Sequence, residues 1–81
     1  MNMIGPIGAR DILTEYIPDR VPDWRKVFEL SHRIERGLWV PGQGTPIEIN
    51  TATGQLVNGQ HRLIAIAMSG TIVAVEMKER R

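Results

Sequence analysis

The sequence contains no cysteine and only two histidines, His32 and His61. The absence of cysteine excludes disulfide bonds, thiolate catalysis and cysteine-ligated metals. No short spacing between a histidine and carboxylate residues is typical of a metal site. We therefore predict a protein without a metal centre.

The chain also lacks an excess of charge of either sign, since ten Lys and Arg residues stand against nine Asp and Glu. No overall basic field favours nucleic-acid binding. Long apolar runs are missing too: no segment approaches the roughly 18 apolar residues of a membrane span, and residues 1–8 lack the basic leader of a signal peptide. These absences predict a cytoplasmic protein that does not enter membranes.

The pattern of apolar residues predicts a small α+β domain over residues 1–81. Residues 1–20 are expected to form an N-terminal arm, either an edge strand or a loosely held segment, and a short helix over 9–17 that ends at Pro18. In the core, residues 21–77, an amphipathic helix is predicted over 23–36 and a β-hairpin over 47–57. A β-branched core strand over 71–77 and a charged tail over 78–81 complete the chain. The helix over 23–36 is expected to direct five side chains inward: Trp24, Val27, Phe28, Leu30 and Ile34.

The most informative stretch is residues 56–70. Asn58-Gly59 predicts a tight turn, because both residues tolerate positive φ. The helix that follows is apolar on every side, which predicts burial, and Gly70 is placed for a left-handed cap at its end. The first turn of a buried helix has backbone N–H groups without intrahelical partners and a positive potential. With an amide, an imidazole and a guanidinium on that turn, residues 60–62 predict a site for a phosphate or carboxylate.

The sequence Gly-Gln-His-Arg-Leu at residues 59–63, followed by an alanine-bearing helix and a glycine, resembles the signature of the ParB/sulfiredoxin-like superfamily. It is most similar to small variants from phages and actinobacteria, and the resemblance extends over residues 21–77. The resemblance implies the ParB/sulfiredoxin-like fold. It also implies that the protein binds a nucleotide, CTP or ATP with Mg²⁺, through the phosphate groups of that nucleotide. The ligand-binding residues carried over from the motif are Asn58, Gly59, Gln60, His61 and Arg62. Gly59 would permit close backbone approach, Gln60 and His61 would donate to phosphate oxygens, and Arg62 would clamp them.

Departures from the family's patterns argue against catalysis. Sulfiredoxins need a cysteine where this chain has Gln60, and the related serine kinases use an aspartate where it has Asn58. An amide cannot act as a general base and is a weak Mg²⁺ ligand. No carboxylate cluster is typical of a two-metal nuclease site. No residue is therefore predicted to be catalytic, and DNA binding is not expected, because partition proteins use a further helix-turn-helix domain for it.

Other interpretations remain open at this stage. His61 and Arg62 could be structural, the histidine bound to a loop carbonyl and the arginine paired with Glu48 or Glu76. Glu48 and Trp39 are candidate pocket residues, the first as an acid/base group or a solvated strand position, the second as a base-stacking or core-edge residue.

The alternative function is a phage accessory protein that binds a host or phage protein. Its contacts would come from the arm at 1–7, from the helix that carries Trp24, or from the loop at 39–46. A homo-oligomer is also compatible with the sequence, since an apolar arm can complete a neighbour's sheet.

Overall fold

The computed structural model describes residues 2–40 and 46–81. These residues form an α+β domain, which confirms the predicted class. In chain order the elements are β1 (Asn2–Ile4), α1 (Pro6–Glu15), β2 (Ile17–Pro18), α2 (Trp24–Glu35), β3 (Ile47–Asn50), β4 (Gln55–Asn58), α3 (Gln60–Ser69), β5 (Val73–Val75) and β6 (Met77–Arg80).

The strands form two sheets, a two-stranded β1-β5 sheet and a four-stranded sheet of order β2-β4-β3-β6. The predicted hairpin is the antiparallel pair β3-β4. Its turn is closed by the Asn50 side chain, whose Oδ1 accepts from the N–H groups of Ala52 and Thr53 at 3.0 and 3.1 Å. Such a local side-chain bond is the reason that asparagine favours turns. Strands β2 and β6 flank the hairpin, each parallel to its neighbour.

The C-terminal core strand is confirmed over Val73–Val75, but its predicted extension to Met77 is wrong. The strand is interrupted at Glu76, after which β6 joins the other sheet. The predicted charged tail is also wrong, because Lys78–Arg80 pair with Glu48–Asn50 of β3. An ion pair between Arg80 and Glu48 accompanies this pairing. Tertiary backbone hydrogen bonds thus override the low strand propensity of a charged sequence.

The N-terminal arm is an edge strand: β1 pairs antiparallel with β5, and Ile4 is buried. The short helix after it begins at Pro6 rather than at residue 9 and ends at Glu15. Proline suits the first turn of a helix, where its missing N–H has no intrahelical role. Strand β2 follows and runs beside β4, which brings the loop at 19–23 next to the start of α3.

Helix α3 lies at the centre of the domain, with α1 and α2 both packed against it. Its side chains Leu63, Ala65 and Ile66 are fully buried, as predicted, whereas Met68 near its end is half-exposed. The other buried apolar residues come from β1, α1, α2, β3, β4 and β5: Ile4, Ala9, Val27, Ile34, Ile47, Ile49, Leu56, Val73 and Val75.

Helix α2 buries a narrower face than the sequence predicted. The Asp23 carboxylate caps it by accepting from the Arg25 N–H, and its buried residues are Val27, Ser31 and Ile34. Trp24 and Phe28, which were expected to point inward, are each 50% exposed. At 100° per residue these two aromatics fall at or beyond the border of the buried stripe, which leaves each of them half-exposed.

Candidate functional site

The start of α3 depends on Gly59. This residue is the N-cap, with φ 103° in the left-handed region that favours glycine. A Cβ at this position would lie 2.8 Å from Cγ1 of Ile47, a fully buried residue of β3. The predicted positive φ is confirmed at Gly59 and, with φ 72°, at the Gly70 cap, but Asn58 is the last residue of β4 and does not have positive φ.

The side chains of Gln60 and His61 fasten the loop at 19–23 to this helix start. Gln60 Nε2 donates to the carbonyl oxygen of Arg20 at 2.9 Å. The N–H of Asp23 donates to His61 Nε2, also at 2.9 Å. Since an accepting Nε2 carries no proton, the neutral imidazole has its hydrogen on Nδ1. The alternative structural role for His61 is thus close to what is observed, except that its loop partner is an N–H rather than a carbonyl.

A hollow of about 310 Å³ lies between this loop and the first turn of α3. It is lined by Pro18, Asp19, Arg20, Leu56, Val57, Asn58, Gly59, Gln60 and His61. Four of the five residues predicted to bind ligand therefore share one cavity. Arg20 and Asp19, both exposed, add one charge of each sign.

Two helix N-termini lie beside each other next to the hollow. The bond from Asp23 to His61 joins the N-cap residue of α2 to the first turn of α3. Asp23 caps α2, but the N-cap of α3 is a glycine with no side-chain acceptor for the first-turn amides. The positive end of the α3 dipole is therefore not offset by an N-cap carboxylate.

Arg62, the fifth predicted ligand residue, lies elsewhere. Its guanidinium lines a separate cavity of about 70 Å³, together with Trp39 and other residues around the end of α2. Nη2 donates to the carbonyl oxygen of Pro46 at 3.4 Å, and burial lowers the pKa of the Arg62 side chain. Arg62 and His61 thus line different cavities, whereas the sequence prediction assigned both to one ligand.

The two candidate pocket residues are also outside the hollow. Trp39 is a core-edge residue whose Nε1 donates to the carbonyl oxygen of Ala74 at 2.8 Å. Glu48 is buried in β3 and paired with Arg80, so the prediction of a solvated strand position is wrong. The predicted contact loop lies largely outside the described residues, which omit 41–45.

The site predicted from the sequence omits Asp19 and Arg20, which lie between the two predicted helices over 9–17 and 23–36. The available signal was two charged residues enclosed by prolines directly before a predicted helix. Nothing local indicated that this loop would lie across α3, since the contact depends on the two-residue strand β2 pairing with β4.

The fold and site define a small α+β protein with an open hollow at the N-terminus of its central helix. Comparison with known proteins gives no match to a family model, to a curated protein or to a solved structure. In the part of the chain that the structure describes, no three His, Asp or Glu side chains are grouped so as to hold a metal ion. No helix among those residues has both the length and the apolar character to cross a membrane.

Proposed function

We propose that this protein is a ParB/sulfiredoxin-like module that binds a phosphorylated small molecule, a nucleotide such as CTP or ATP, in the hollow beside α3, without catalysis. The observation that carries the proposal is the position of the hollow. It opens on the first turn of a buried helix whose N-cap is a glycine in the left-handed conformation. Backbone N–H groups at such a turn, aided by the helix dipole, are suited to phosphate oxygens.

The side chains of the motif act on the hollow indirectly in this proposal. Gln60 and His61 are engaged with Arg20 and Asp23, and these bonds hold the loop as one wall of the cavity. Among the described residues that line the hollow, the exposed Arg20 supplies an arginine side chain within reach of a ligand. Arg20 thus takes the role that the sequence assigned to Arg62.

The charge of the lining favours a nucleotide over a bare phosphate ion. Asp19 would repel an isolated phosphate, because like charges at short range disfavour each other. A nucleotide can instead present a ribose hydroxyl or a phosphate-bound Mg²⁺ to this carboxylate, while its phosphates face Arg20 and the α3 amides. We therefore expect CTP or ATP with Mg²⁺ to bind more tightly than inorganic phosphate.

The test is isothermal titration calorimetry at low ionic strength with CTP, ATP, ADP and inorganic phosphate, each with and without Mg²⁺. Arg20→Ala should weaken nucleotide binding about tenfold or more, since a hydrogen bond to a charged group contributes about 1.5–3 kcal/mol. Arg10→Ala is the matched control, because Arg10 is also exposed but belongs to α1, outside the hollow. Affinity should be unchanged in that variant.

Arg62→Ala distinguishes the two possible clamps. The proposal expects it to retain nucleotide affinity as long as it folds, which circular dichroism and a melting curve would verify. If folded Arg62→Ala lost nucleotide binding while Arg20→Ala kept the wild-type affinity, the arginine that contacts the phosphates would be Arg62 and not Arg20. An absence of heat with every ligand at millimolar concentration would reject the nucleotide site altogether.

A further inference from the structure

The outer face of α2 carries a pair of aromatic side chains that lie outside the buried core. Trp24 and Phe28 are each half-exposed, and their ring centroids lie 6.2 Å apart with the planes tilted by 36°. Two neighbouring exposed rings form an apolar patch, and covering such a patch with another molecule is favourable. Contact with a partner can supply that burial.

Toward the C-terminal end of α2, the same face of the helix carries basic side chains. A shallow groove of about 500 Å³ is lined by Arg25, Phe28, Glu29, His32, Arg33 and Arg36. The three guanidinium groups outnumber the single carboxylate, and none of the three forms an ion pair with a described residue. The groove is therefore a positively charged surface beside an apolar one, in a chain whose net charge is only +1.

We propose that this outer face of α2 is a docking surface for an acidic peptide segment of another protein. A large apolar side chain of that segment would pack on Trp24 and Phe28, and its carboxylates would meet Arg25, Arg33 and Arg36. Arginine binds carboxylates in a bidentate geometry, and tryptophan and arginine are enriched among residues that dominate interface energies. The surface is separate from the nucleotide hollow, since none of the groove residues lines that cavity.

Glu29 favours a peptide over a nucleic acid at this surface. It lies on the same helical stripe as Arg25 and Arg36, so a ligand that follows the groove passes directly over a negative charge. A nucleic-acid backbone carries a phosphate at each nucleotide and would be repelled there. A peptide can place a neutral or basic residue opposite Glu29 and keep its carboxylates for the arginines.

The experiment selects ligands without assuming their sequence. A random displayed library of peptides of about 12 residues, long enough for an amphipathic anchor pattern, is panned on the intact chain. The enriched peptides are synthesised and measured by fluorescence anisotropy at two salt concentrations. We expect them to be acidic, to contain an aromatic residue or leucine, and to bind more weakly at high salt.

A pair of matched variants locates the binding surface. The groove variant Arg25→Glu/Phe28→Ser should lose tenfold or more in affinity for these peptides. The control Arg10→Glu/Ile7→Ser makes the same changes at exposed positions of α1 and should bind as the wild type does. Far-ultraviolet circular dichroism and melting temperatures of both variants test whether the fold is retained. A second groove variant, Arg36→Glu, changes the charge of the groove without removing an aromatic ring.

Three results would overturn the proposal. One is that no peptide is enriched, and a second is that the enriched peptides bind the folded groove variants with unchanged affinity. The third is that a single-stranded oligothymidine of about 15 nucleotides, the length that a small binding domain covers, binds in a groove-dependent manner while the peptides do not. That last outcome would assign the face to nucleic acid.

Discussion

Replacing Gly59 with alanine tests the turn on which the site is built. Two separate costs apply at this position. The backbone has φ 103°, in the left-handed region where a Cβ is strained, which costs about 1–2 kcal/mol. The added methyl group would also lie 2.8 Å from Ile47 Cγ1 and 3.1 Å from its Cβ, at the centre of the core.

The expected loss of stability follows from these terms. Forcing a methyl group into a packed core costs about 1–3 kcal/mol, and the lower entropy of the unfolded alanine chain returns about 0.4–1 kcal/mol. The net loss spans about 1–5 kcal/mol with a central value of about 3 kcal/mol, against a total of about 4–12 kcal/mol expected for a domain of this length. The melting temperature should therefore fall by about 10–20 °C.

The assay is urea unfolding followed by circular dichroism, with Gly70→Ala as the matched control. Gly70 also has positive φ, at 72°, but a Cβ there would meet nothing within 4 Å. Gly70→Ala should cost about 1 kcal/mol or less, so the difference between the variants measures the contact with Ile47. Combining Gly59→Ala with Ile47→Ala should show a coupling that reduces the cost of the glycine change. Equal destabilisation by the two glycine variants would refute the proposed fit between the turn and β3.

Three further outcomes are expected. Asp23→Ala removes the cap of α2 and should cost about 1 kcal/mol in urea unfolding, whereas Asp23→Asn should retain most of that stability; equal losses would show that the capping bond is unimportant. His61→Ala removes the acceptor of the Asp23 N–H, so hydrogen exchange at that amide should accelerate while exchange within β3 is unchanged; unaltered protection would contradict the loop attachment. Trp39→Phe deletes the donor to the Ala74 carbonyl and should cost about 0.5–1.5 kcal/mol, with no loss expected if solvent satisfies that oxygen instead.

Local chemistry was sufficient to predict the helix start from the sequence. Gly59 and Gly70 each determine backbone conformation within a residue or two, and both glycines are left-handed in the structure, whereas Asn58 remains in strand β4. The hairpin was predictable for the same reason, because its period-2 pattern and its Asn50 turn are short-range signals. Such short-range signals describe single helices, strands and turns, and not the contacts between them.

The errors arose where one element decides the environment of another. A charged sequence became strand β6 because β3 offered it a parallel partner, and Glu48 was buried in β3 and paired with the exposed Arg80. Trp24 and Phe28 were assigned to the core by helical periodicity, which gives the direction of a side chain but not the width of the face that α3 covers. Arg20 was missed since its position at the hollow comes from tertiary pairing, and Arg62 was misplaced because consecutive residues on a helix point in different directions.

The positions of the Gln60 and His61 side chains change the interpretation of the Gly-Gln-His-Arg-Leu motif. At the sequence level, His61 had two exclusive interpretations, a ligand-binding residue or a structural one. The structure engages its imidazole with the Asp23 N–H, and it engages the Gln60 amide with the Arg20 carbonyl. Those bonds bring Arg20 to the cavity, while Gly59 leaves the start of α3 uncovered by any side-chain cap. A structural role for the side chains is therefore compatible with a binding role for the backbone that they position, because an anion can be held by N–H groups and an arginine without touching the imidazole.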